Sequence, residues 1–270
     1  MSCDLPIGVF DSGVGGLTVA KEIMKQLPNE QIIYFGDTAR VPYGSKSKEI
    51  VTMYVRQIIR FLLTKNVKAI VIACNTATAF ALDTVKQEYD IPIIGVVKPG
   101  AKTAAETTKN GNIGVIGTEG TIRSGIYNEF LGSVSENLHV FGKACPLFVP
   151  LVEEGWIDDP VTREVATRYI SELLSRDIDT LVLGCTHYPL LRDTIQGVVG
   201  SEVTLVNPAY ETARTLRTGL INKGLTCENK RSAEHIFYVS DGAEKFRDFA
   251  NTILPCEIIE TKDVNVKTFD

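Results

Sequence analysis

Short runs rich in Val, Ile and Leu alternate along the chain with longer stretches in which apolar residues recur at helical spacing. The short runs predict strands at 6–10, 31–35, 68–73, 91–96, 112–116, 138–141, 180–183, 203–206, 235–239 and 256–260. Helices are predicted between them, among others at 47–64, 76–89, 159–175 and 208–223. Two starts are sharp: Asp159-Pro160 and Asn207-Pro208 each offer a capping side chain followed by proline at the first helical position. Several strands are apolar on both faces, so helices must cover both sides of the sheets. The pattern predicts an α/β fold with largely parallel sheets.

A diverged internal echo refines this. IGVFDSGVGG (7–16) resembles IGVIGTEGTI (113–122), and KAIVIACNTATAFAL (68–82) resembles DTLVLGCTHYPLLRD (179–193), in the same order. The expectation is two related α/β domains with helix-flanked parallel sheets and an active site in the cleft between them. Residues 1–97 with 207–270 form the first domain, and 98–206 the second.

Composition narrows the class. With 270 residues, 44% hydrophobic and 23% charged, the chain is an ordinary globular protein rather than a disordered or fibrous one. Its net charge of −5 and lack of a basic run argue against a nucleic-acid partner. The longest apolar run, 69–74, falls far short of the ~20 residues a membrane helix needs. The beginning MSCDLPIG lacks the cationic and apolar regions of a signal peptide, so a cytoplasmic protein is expected, with no membrane partner. Cysteines at 3, 74, 145, 185, 227 and 256 show no C-x-x-C spacing, and His139, His187 and His235 are scattered, so no metal site is expected.

Candidate chemistry lies at strand ends. In each half an apolar strand runs into a cysteine, then small polar residues, then a helical pattern: Ala73-Cys74-Asn75-Thr76 and Gly184-Cys185-Thr186-His187. Open α/β sheets place ligands at carboxyl ends of strands, and a helix start favours anions and thiolates. A single such cysteine is ordinarily a small buried hydrophobe. Two at matching positions can flank one carbon, one removing a proton and the other delivering a proton to the opposite face. Bringing a thiol from about 8.5 toward neutrality needs about 2 kcal/mol. A helix end offers only ~0.3–1 kcal/mol when exposed, so His187 and the substrate's ammonium are expected to contribute the rest. Asp11 would oppose a thiolate at Cys74 and is better suited to relaying a proton.

Three further loops frame this reading. FDSGVGGLT (10–18) offers backbone N–H groups and Ser12 to a carboxylate or phosphate; a dinucleotide site fails because Thr18 stands where G-x-G-x-x-G needs its third glycine. GDTARVPYGSKS (36–47) reads as a surface turn or as active-site lining. Glu153 and Glu154 follow a Pro-Leu-Val run, and either acid could orient His187.

Together, GVFDSGVGGLTV (8–19), FGDTARVPYG (35–44), ACNTATA (73–79), IGTEGTIRSG (116–125), FVPLVEEG (148–155) and GCTHYPLL (184–191) resemble the glutamate racemases of the aspartate/glutamate racemase family, over nearly the whole chain. The resemblance implies a cofactor-independent isomerase that interconverts L- and D-glutamate, supplies D-glutamate for peptidoglycan, and forms a homodimer. It implies that Cys74 and Cys185 are paired acid/base thiols, assisted by Asp11 near Cys74 and by Glu153 and His187 near Cys185. It places substrate against Asp11, Ser12, Pro42, Tyr43, Gly44, Asn75, Thr76, Thr118, Thr121, Thr186 and His187. Asp37 matches an acid the family also carries. An aspartate racemase would share both cysteines; a nicotinamide-dependent oxidoreductase or a non-enzymatic amino-acid binder stands further off.

Overall fold

The computed structural model describes residues 2–227, 234–258 and 260–270. The chain divides into two compact units, 1–96 with 209–270, and 97–208. The first contains β1 (Ile7–Asp11), α1 (Leu17–Gln26), β2 (Ile32–Gly36), α2 (Lys48–Leu63), β3 (Ala69–Ile72), α3 (Asn75–Glu88) and β4 (Ile93–Gly95). The second contains α4 (Val97–Thr107), β5 (Asn112–Gly117), α5 (Glu119–Arg123), α6 (Ile126–Val134), β6 (His139–Ala144), α7 (Phe148–Glu153), α8 (Pro160–Leu174), β7 (Thr180–Gly184), α9 (Arg192–Val199) and β8 (Thr204–Val206). The chain then adds α10 (Pro208–Asn222), β9 (Ile236–Val239), α11 (Ala243–Ile253) and β10 (Thr261–Asp263).

Among the described residues each unit holds one sheet, and every pairing is parallel. The first has strand order β10-β9-β2-β1-β3-β4, the second β6-β5-β7-β8. The core order is therefore the same twice: β2-β1-β3-β4 and β6-β5-β7-β8. Registers agree as well, since Ile7 lies opposite Ala69 and its counterpart Ile113 opposite Thr180. In both sheets the strand order reverses between the first and third strands, and open α/β folds gather ligands outside the carboxyl ends at such a reversal. Those ends are Asp11 and Cys74 in one unit, Gly117 and Cys185 in the other.

Burial explains why the strands read as unbroken apolar runs. Ile7, Val9, Phe10, Ile70, Val71 and Ile72 are fully buried because helices cover both faces. On one face α2, started by the Ser47 hydroxyl accepting from the Ile50 amide at 3.4 Å, buries Val51, Val55, Ile58 and Leu62 at helical spacing against Phe10, Phe35 and Ile70. Each such side chain contributes ~1.5–3 kcal/mol. At the opposite end of β3, Lys68 is fully buried; its Nζ lies 2.5 Å from Glu30 and donates to the carbonyls of Cys3 (2.6 Å) and Leu225 (2.8 Å). Glu30 in turn accepts the Cys227 amide at 2.8 Å.

Every strand expected up to residue 239 has an observed counterpart, and the Asp159 carboxylate does cap α8 by accepting from the Val161 amide at 2.7 Å. Of the strand expected at 256–260, residue 259 lies outside the described residues and the remaining four are not in a strand; the edge strand among the described residues is β10 at Thr261–Asp263. Asn251 accepts the Ile258 amide at 2.8 Å, and the Ile258 side chain is buried, so the apolar residue serves packing while a polar tripeptide completes the exposed edge. Among the described residues no helix is long and apolar enough to cross a membrane.

Candidate active site

In the first unit β1 ends on Asp11, which is fully buried. Its Oδ2 accepts from the amides of Gly13 (3.1 Å) and Gly16 (3.0 Å), closing the glycine loop onto the strand end. The loop's N–H groups at 13 and 16, offered to an external anion by the sequence reading, are therefore committed to the chain's own carboxylate. Gly16 is required by space: a Cβ there would sit 2.4 Å from the Asp11 Cβ and 2.8 Å from the Tyr34 hydroxyl. Tyr34 donates to the Gly13 carbonyl at 2.9 Å. Its phenol is pushed well up by burial, then by the nearby Asp11 and Cys74.

Beside β1, the Ala73 amide donates to the Phe10 carbonyl at 2.8 Å, which carries the pairing to the brink of Cys74. Cys74 is the N-cap of α3, its sulfur accepting from the Ala77 amide at 3.5 Å and lying 3.7 Å from the Ser12 hydroxyl. A cap residue sits at the positive end of the helix, where partial positive charge favours a thiolate. Asn75 and Thr76, the first two residues of α3, are buried beside it. Asp11, Ser12, Cys74, Asn75 and Thr76 thus meet at one place, the reversal point of the first sheet.

The next loop is organised by Asp37, which follows β2 and is fully buried. Its carboxylate accepts from Arg40 Nε at 2.9 and 2.7 Å, from Ser240 at 2.8 Å and from the Tyr43 hydroxyl. The Tyr43 phenol is raised well above the ordinary tyrosine range by burial, then by Asp37, so it stays protonated and donates. Pro42 is exposed and Gly44 buried.

The second unit repeats the plan with other parts. β5 ends at Gly117, and Thr118 caps α5 by accepting from the Thr121 amide at 3.3 Å; the two threonine hydroxyls are 3.1 Å apart. β7 delivers Cys185 and the buried Thr186 and His187. His187 Nδ1 is 3.9 Å from the Cys185 sulfur, and its Nε2 is 3.0 Å from Glu153 Oε1. An ionised carboxylate only accepts, so Nε2 donates to Glu153, and Nδ1 is the ring nitrogen that faces the thiol. Glu153, rather than Glu154, is thereby the acid of the pair that meets His187. It stands at the last residue of α7, which is anchored by Phe148 packing edge-on against Tyr188 with ring centroids 5.1 Å apart. Tyr188 donates to the Cys145 carbonyl at 2.8 Å. Burial, followed by Cys185, raises the phenols of both Tyr127 and Tyr188.

One expectation is corrected here. The sequence pattern placed a helix directly after each cysteine, but after Cys185 the chain makes a 3-10 turn at Tyr188–Leu191 and α9 begins only at Arg192. Pro189 has no N–H and disfavours the α conformation in the residue before it, so the helix is delayed. Cys185 consequently does not cap an α-helix, as Cys74 does at α3. Sequence reasoning also passed over Tyr34, Arg40, Gln57, Tyr188 and Ser240; Arg40 meets Asp37 only three positions away and Tyr188 adjoins His187, whereas Tyr34, Gln57 and Ser240 are brought in by tertiary packing. Among the described residues no group of three or more His, Cys, Asp or Glu side chains could hold a metal ion.

Comparison with known proteins finds relatives over nearly the whole chain. The family model for Asp/Glu/Hydantoin racemase matches residues 7–216. The glutamate racemase of Oceanobacillus iheyensis is 47% identical over 98% of this chain and 98% of its own. The crystal structure of glutamate racemase isoform RacE1 from Bacillus anthracis superposes with a TM-score of 0.93 at 43% identity, covering 96% of this chain and 97% of that one. Glutamate racemase from Francisella tularensis, solved in complex with D-glutamate, gives a TM-score of 0.92 at 37% identity over 99% of this chain and 100% of that one.

Proposed function

The chain belongs to the glutamate racemase family, and from that premise we propose that it interconverts L- and D-glutamate by two-thiol proton transfer at Cα, without a cofactor. The observation that carries the proposal is the recurrence of a cysteine at the same strand end of two like-wired sheets, each with its own partners for a thiol. One thiolate removes the α-proton and the other thiol supplies a proton to the opposite face. The two exchange roles with the direction of reaction, as inversion of a carbon centre requires.

The halves prepare their thiols differently. Cys74 relies on the start of α3 and the Ser12 hydroxyl, and Asp11 stands by to relay its proton. Cys185 relies on His187, held in the accepting tautomer by Glu153. The α-carbanion is poorly stabilised by itself, so donors around the substrate carboxylate carry much of the catalysis. Asn75, Thr76, Thr118, Thr121 and Thr186, all at strand or helix ends, are suited to this. The Tyr43 hydroxyl is committed to Asp37, so Tyr43 and Gly44 would hold substrate through the main chain, with Pro42 lining the site.

Family membership also supports the rest of the proposal: a homodimer in the cytoplasm that supplies D-glutamate for peptidoglycan. An aspartate substrate is disfavoured, since the relatives of high identity are glutamate racemases. Incubation with L-glutamate in D2O tests the reading. D-glutamate must form with solvent deuterium at Cα, and formation without deuterium would sink proton transfer.

A further inference from the structure

A hydrogen-bonded line runs from Asp270 to the loop that carries Pro42, Tyr43 and Gly44. Asp270 Oδ1 accepts from Gln57 Nε2, and Gln57 Oε1 accepts from Arg40 Nη1. Arg40 Nε then donates to both oxygens of Asp37, and Asp37 accepts from the Tyr43 hydroxyl. The Gln57 amide can satisfy both neighbours in only one orientation, carbonyl toward the guanidinium and amide nitrogen toward the carboxylate. Stacking runs parallel to the line: the Arg40 guanidinium lies 3.9 Å over the Tyr54 ring, whose centroid is 5.5 Å from that of Tyr43.

The far end is tied to the same helix. Arg60 donates to the Phe269 carbonyl at 3.0 Å, the Phe269 ring packs edge-on to Phe61 at 5.4 Å, and Val266 is buried. One face of α2, through Tyr54, Gln57, Arg60 and Phe61, therefore connects residues 266–270 with residues 37–43. Arg40 and Gln57 are buried, and Asp270 is exposed. If packing alone were needed, apolar side chains would fill the space equally well. A directional polar line instead fixes orientation, and what it orients is the Tyr43 ring and the main chain on either side.

We propose that Arg40, Gln57 and Asp270 are positioning residues that brace the 41–44 loop in its substrate-holding conformation, so that residue 270 sets affinity for glutamate. This rests on the racemase reading above, in which that loop holds substrate.

The test compares Asp270→Ala, Arg40→Lys and Asp270→Asn. KM and kcat for glutamate, hydrogen exchange of residues 38–46 in the substrate-free protein, and thermal midpoint are measured for each. Asp270→Ala and Arg40→Lys should raise KM about tenfold, the factor equivalent to ~1.4 kcal/mol, with kcat within about twofold of the original protein, and should speed exchange at 38–46. Asp270→Asn keeps the accepting oxygen and should restore both readouts. A lowered thermal midpoint with KM and exchange unchanged would mean the line only stabilises the fold, and overturns the proposal. Asp270 lies at the surface, so its variants test the line even if Arg40→Lys does not fold. If the unsubstituted protein racemises no glutamate, the racemase reading falls and exchange alone decides: faster exchange in Asp270→Ala upholds the brace, and unchanged exchange removes it.

Discussion

Cys74 and Cys185 occupy corresponding places in two sheets of the same strand order, yet their surroundings differ in kind. Cys74 stands at the mouth of α3, with the Ala77 amide 3.5 Å away and a serine hydroxyl at 3.7 Å. Cys185 is followed by a 3-10 turn and faces an imidazole at 3.9 Å that is backed by a carboxylate. In the proposed mechanism the first half would prepare its thiol with the start of α3 and the Ser12 hydroxyl, with Asp11 as relay, and the second with an imidazole–carboxylate pair. On that reading the repeated topology preserves where a cysteine stands while leaving free how it is activated.

The largest way to break this comparison is to remove either sulfur. Cys74→Ser and Cys185→Ser should each lower kcat by roughly 10²–10⁴-fold, the range for a lost general acid or base, as followed by the optical rotation of glutamate. Near-normal turnover in either variant would leave one thiol without a role.

The asymmetry itself is sharpened by His187→Gln, expected to cost roughly 10–100-fold in kcat, as for a lost hydrogen bond to a charged group. At pH 7 iodoacetamide should then label Cys185 more slowly and Cys74 at its original rate. Glu153→Gln keeps an accepting oxygen for Nε2 and loses only the charge, so its effect should be smaller. Ser12→Ala should change Cys74 labelling least of all. Equal slowing of both cysteines in His187→Gln would refute the division of labour.

Glycines at the start of α1 and at the end of β7 offer a stability comparison. Gly16→Ala meets the Asp11 Cβ at 2.4 Å, and Gly184→Ala meets the Ile116 carbonyl at 2.7 Å. Each should cost ~1–3 kcal/mol by overpacking, seen as a lower thermal midpoint. The smallest effect concerns pH. Burial pushes the His235 imidazole down from its ordinary range, and its Nδ1 accepts the Ile32 amide at 3.2 Å. A base whose folded pKa is depressed binds its proton better when unfolded. Stability contributed at this β2–β9 contact is therefore whole above ~6.5 and declines as pH falls below it. Thermal midpoints between pH 7.5 and 5.5 should show the decline, and His235→Asn should remove it.

Much of the architecture was legible because parallel strands covered on both faces leave unmistakable apolar runs, and because the echo between 7–16 and 113–122 marks the repeated βα units. The two cysteines at the strand ends were legible for the same reason: a strand's end is visible in one dimension. The delayed helix after Cys185 was less so, since Thr-His-Tyr-Pro reads as a helix start until Pro189 is weighed against it. The Arg40, Gln57 and Asp270 line was invisible, because side chains 17 and 213 positions apart meet only through the docking of α2. The edge strand at 261–263 was misplaced because a polar tripeptide at a sheet margin carries no apolar signature.

The pairing of β2 with β9 has a consequence for how the molecule is made. Ile33 lies opposite Ile236, so the flank of β2 stays open until some two hundred further residues have emerged from the ribosome. The second unit is contiguous and has all its strands once residue 206 is out. Domains fold as units during synthesis, and here the later-begun unit is the first that can finish. The nascent first sheet meanwhile presents the unpaired edge of an apolar strand, the kind of template that recruits other chains. Stalled or truncated translation products ending between residues 206 and 236 should accordingly be the aggregation-prone species of this protein, with one sheet closed and the other still waiting for its margin.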